Sequence, residues 1–142
     1  MSSDLYLGKA FISFFILLAV LAVSCTSRRD EDDALKAAGK IHSQFQRGEY
    51  VAVYQEAADG LKRAIDEQSF VAAMRRLHEG NGILRKITPI GYQTGIDSRS
   101  GRNYILLFDL EFERLRARER LVFIRSQSQR MELWDLVMDK MQ

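Results

Sequence analysis

The run from Tyr104 to Phe112 constrains this chain more than any other stretch. Tyr104, Leu106, Phe108, Leu110 and Phe112 are large and apolar at every even position, while the odd positions turn acidic at Asp109 and Glu111. A period of two predicts a strand with one buried face, because successive strand side chains point to opposite sides. Such a strand needs neighbours, and the sequence around it supplies three. Ile83 to Gln93 carries β-branched residues, Tyr92 and the single proline, Pro89, which belongs on an edge strand or at a bulge because proline has no N–H for the ladder. After a polar loop over Gly95 to Arg102, the central strand is expected to run to about Leu115. A tight turn at Arg116 to Arg118 then leads to a strand over Glu119–Arg125. Ser126 to Arg130 turns again into a last strand, Met131–Met138, which holds the one tryptophan, Trp134.

Ahead of these strands the apolar period is near 3.6. Between Asp33 and Gln46, Ala34, Ala38, Ile41 and Phe45 fall on one helical face, and Gly48 follows as a stop. A shorter helix carries Tyr50, Val53, Tyr54 and Ala57, and Leu61 to Ile65 reads as a helical turn. Asp66 is placed to cap a third helix with Phe70, Ala73, Met74 and Leu77 on one side, ended by Gly80-Asn81-Gly82. The expected fold is α+β: three amphipathic helices packed on a curved four-stranded antiparallel sheet. A chain of 142 residues fits one such core. Its net charge of +2 is too small to point to nucleic acid.

The N-terminus carries an address. Lys9 precedes an apolar run from Ala10 to Val23 broken only by Ser13. As a helix it reaches about 21 Å, short of a bilayer's ~30 Å hydrocarbon core, so it reads as a signal-peptide core and not a permanent span. Leu21-Ala22-Val23-Ser24-Cys25 resembles the lipobox of bacterial lipoproteins, although Ala22 stands where the family usually has Leu. The resemblance implies cleavage after residue 24 and lipid attachment at Cys25, the only cysteine, with acyl chains such as palmitate holding the product to a membrane. Residues 25–32 then form a short tether and residues 33–142 the domain. The residue after the cysteine is Thr26 and not the Asp that would resemble an inner-membrane retention signal, which implies an outer-membrane, periplasm-facing location if the host has two membranes.

Helices followed by an antiparallel meander resemble the nuclear-transport-factor-like superfamily, a cone-shaped α+β fold. Gly48-Glu49-Tyr50 with Tyr54, Gln68-Ser69-Phe70 and Trp134 carry the likeness, closest to a branch of small exported bacterial proteins. That superfamily includes isomerases, dehydratases and non-catalytic assembly modules, so it does not choose the activity.

Residues that could do chemistry are few. His42 and His78, with no free cysteine after lipidation, make no zinc ligand set, and no phosphate-cradling loop is present, so no cofactor is expected. Asp109, Glu111 and Glu113 share the face opposite the aromatic side of their strand and are expected to point outward, while Tyr104 faces inward. Arg114, Arg116, Arg118 and Arg120 flank the expected turn at Ala117 and should converge at one sheet end. There they form either an anion or partner patch or a solvated ladder neutralised by Glu111, Glu113 and Glu119. The reading is an exported, lipid-anchored, non-catalytic binding or assembly module of the cell envelope, meeting an envelope protein or anionic polymer; a homodimer is compatible with it. The alternative is a small pocket enzyme of isomerase or hydrolase type.

Overall fold

A computed structural model describes residues 28–141 of the chain. The expected signal segment and Cys25 lie outside the described residues. Helix α1 covers residues 28–46, so residues 28–32 of the expected tether are helical. From Asp33 onward the chain forms one compact unit. Ala34, Ala38 and Phe45 are buried at the expected spacing, and the chain turns out of α1 at Gly48, whose φ of 72° is a left-handed conformation that glycine adopts without a Cβ clash.

Helices α2 (Tyr50–Glu56), α3 (Asp59–Ala64) and α4 (Glu67–Asn81) follow. The described residues therefore contain four helices, because the helical turn expected over Leu61 to Ile65 belongs to a short helix of its own, Asp59–Ala64. Asp66 caps α4, its Oδ1 accepting from the Ser69 N–H at 2.9 Å.

The sheet is open and antiparallel, in the order β1-β2-β3-β4. Its strands are β1 (Leu84–Asp97), β2 (Gly101–Phe112), β3 (Arg116–Arg125) and β4 (Met131–Lys140). The five even apolar residues of β2 are all buried, and they form one core cluster with helix residues such as Phe45, Tyr54 and Phe70. Pro89 sits on the edge strand beside a register shift before Gly91, as its missing N–H requires.

Two boundaries differ from expectation. β1 runs to Asp97, and the loop shrinks to residues 98–100, because Asp97 Oδ1 accepts from the Arg99 and Ser100 N–H groups and folds a tight hairpin over polar residues. The turn between β2 and β3 lies at residues 113–115, where the Phe112 N–H bonds to the Leu115 carbonyl at 2.8 Å. Arg116 to Arg118 is the start of β3, and Ala117 is buried within it.

β4 carries a bulge. Val122 pairs with Asp135 and Phe123 with Leu133, which leaves Trp134 as the extra residue. The indole lies directly on Gly60 of α3, where a Cβ would come within 2.3 Å of the ring. Beside it the Ala58 N–H bonds to the Leu133 carbonyl at 2.9 Å, so the corner between α2 and α3 closes that part of the β4 edge.

Candidate functional site

The inner face of β3 presents Ala117, Glu119, Leu121 and Phe123, every second residue of the strand. Glu119 is therefore inside the core, 3% exposed, between Phe108 of β2 and Met138 of β4. The expectation that Glu119 lies outside among the arginines is corrected. His42 of α1 faces it, 6% exposed, with Nε2 2.6 Å from Glu119 Oε2. The edge-on Phe108 ring, 4.9 Å away, fixes the imidazole from the side. A charge buried this deeply is tolerated only with a close partner.

The signal for this pair was present in the pattern. His42 lies four residues after Ala38 and three before Phe45, on the apolar stripe of α1, and Glu119 lies two residues from both Ala117 and Leu121. By its charge alone Glu119 belongs outside, whereas its place in the β3 alternation puts it in the core.

Around the pair, α1, α2, α4 and the sheet leave a cleft lined by side chains that include Ile41, Phe45, Tyr50, Met74 and Met138. It encloses about 390 Å³ counting its open mouth, but the space that a water molecule's centre can reach is about 20 Å³, room for roughly one water. Tyr50 is held there by His78, its hydroxyl 2.6 Å from Nδ1. Burial raises the Tyr50 phenol above its ordinary value, and Glu79 adds to the effect. Phe45 stacks on the His78 ring at 5.1 Å.

Asp109 and Glu111 point to the outer face, and Glu113 is exposed in the turn that follows. Tyr104 is buried, with Arg125 lying over its ring at 5.9 Å. The four turn arginines do not converge. Arg116, Arg118 and Arg120 alternate along the outer face of β3, each beside a carboxylate: Glu111 at 3.6 Å, Asp109 at 3.1 Å and Asp135 at 3.1 Å. Arg114 instead reaches the end of α4, donating to the Glu79 carbonyl at 3.1 Å. The expected convergence fails because Arg-Ala-Arg-Glu-Arg-Leu is itself a strand alternation, and the turn precedes it. A groove lined by Lys86, Thr88, Asp109, Glu111 and Arg116 runs along this face, with about 190 Å³ of space open to water, against the 20 Å³ inside.

Among the described residues no cluster of three or more His, Cys, Asp or Glu is arranged to hold a metal ion. No family model matches the chain, and a search of curated proteins returns no match.

Proposed function

We propose that this chain is an exported, lipid-anchored, non-catalytic binding or assembly module of the bacterial cell envelope, built on a nuclear-transport-factor-like cone. Its Cys25 carries the acyl anchor, and its domain faces the periplasm from the outer membrane where the host has two membranes. The observation that carries the reading is the contrast between inside and outside. The cleft at the one buried carboxylate among the described residues has room for about one water, whereas the outer sheet face has an open groove and a row of paired charges. Recognition on that face exchanges the Arg116, Arg118 and Arg120 pairs for contacts with an acidic protein or anionic polymer. Exposed pairs of this kind contribute only about 0.2–1 kcal/mol each, so their exchange costs little.

Affinity capture from crosslinked cells tests this, with Arg116, Arg118 and Arg120 replaced by Ser. Loss of partners in the variant is expected; identical partners from both samples would remove the face from the proposal.

The buried His42–Glu119 pair favours a second reading, a small pocket enzyme that uses the pair for proton transfer. Glu119→Gln keeps the shape and a hydrogen bond, and it separates the two readings. The module keeps its captured partners and cellular role in this variant, whereas the enzyme loses its role.

A further inference from the structure

We infer that the β1–β2 hairpin is a second membrane contact, with Ile96 entering the interface and Arg99 and Arg102 binding anionic lipid head groups. The inference rests on the lipid-anchored reading of the N-terminus.

Ile96 is 86% exposed, the most exposed large hydrophobic among the described residues. It sits at the hairpin end beside two cations. The Arg99 side chain is 87% exposed, and Arg102, the residue opposite Ile96 in the ladder, is exposed as well. Asp97, the nearby acid, has its Oδ1 bound to two loop N–H groups, which with Arg99 hold its carboxyl below the ordinary value. An exposed aliphatic side chain between arginines is the chemistry of a bilayer interface, where the chain dips below the head groups and the cations remain among the phosphates.

Position supports the same occupant. Asn103 pairs with Ile124, which puts Arg125 of β3 at the level of Arg102 and Ile96. Two strand spacings of about 4.8 Å therefore separate Ile96 from Arg125 across the sheet. Arg125 Nη2 lies 3.2 Å from Asp33 Oδ2, so α1 enters the compact unit at this end of the sheet. From Asp33 the covalent path back to Cys25 is about eight residues, and with residues 28–32 helical it spans at most roughly 18 Å. An anchor at Cys25 thus keeps the hairpin end within reach of the bilayer. The acidic residues Asp30, Glu31 and Asp32 oppose an anionic surface; Arg28 and Arg29 offset part of that charge, and Asp33 is neutralised by Arg125.

Amide hydrogen exchange over residues 96–102 tests the inference in the full chain bound to vesicles. One set is phosphatidylcholine alone and the other contains phosphatidylglycerol. On phosphatidylglycerol vesicles exchange is expected to slow on the order of fivefold or more, the factor equivalent to about 1 kcal/mol for a cation at an anionic surface. The combined variant Ile96→Ser, Arg99→Ser, Arg102→Ser, whose three sites are all exposed, is expected to lose the slowing. Equal rates on the two vesicle types, or slowing that persists in the variant, would overturn the inference while leaving the anchor standing. A chain that fails to co-sediment with either vesicle overturns both.

Discussion

At the scale of single residues the buried His42–Glu119 pair holds the most information. It joins the middle of α1 to the middle of β3 through one 2.6 Å contact, so among the described residues each side chain depends on the other for its buried hydrogen bond. Replacing either alone by Leu leaves a polar group in the core without that partner, and is expected to lower stability by roughly 3–5 kcal/mol. Replacing both by Leu should cost clearly less than the two single changes added together. Urea unfolding of the four proteins at neutral pH measures this coupling, and additive losses would show that the contact contributes nothing. Gly60 makes a second prediction. With a Cβ only 2.3 Å from the Trp134 ring, Gly60→Ala must push the indole out of its seat, at a cost of about 1–3 kcal/mol. A lowered urea midpoint with a shifted tryptophan emission is expected.

At the scale of elements, Glu113 ties two connections together. Its carboxylate accepts from the Ile83 N–H at 3.2 Å and pairs with Arg85, linking the turn after β2 to the start of β1. The Ile83 hydrogen bond and Arg85 hold its pKa below the ordinary 4.5. A depressed acid contributes stability that is fully present above its unfolded pKa and is lost as pH falls through the folded value. Between pH 5 and about 3 the native protein should therefore lose more of its urea midpoint than Glu113→Gln does, and parallel curves would contradict the assignment.

The same turn marks where the sequence was readable and where it was not. The β2 alternation, the Asp66 cap and the edge position of Pro89 follow from local chemistry, and each is found in place. A charged stretch such as Arg116 to Arg118 suggests a solvent-exposed turn, while the ladder buries every second residue whatever its neighbours are. Of the short helix α3 only a helical turn over Leu61 to Ile65 is legible. Its sequence, Asp59 to Ala64, contains Gly60, a poor helix former, and it is the contact with Trp134 that gives the glycine its reason.

On the scale of the whole molecule, all four helices contribute to a core on one side of the sheet, and the charged outer side of β2 and β3 carries the open groove. Core packing was therefore predictable from periodicity, whereas the candidate site required knowing which elements meet. Position along the chain does not show that residue 42 faces residue 119. The outer face and the hairpin end gain a role only if the domain is held at a membrane, so the account turns on Cys25. Metabolic labelling with a palmitate analogue, comparing the native chain with Cys25→Ala, tests that claim most directly. The account predicts label on the native chain and none on the variant; an unlabelled native chain, or equal label on both, would contradict it.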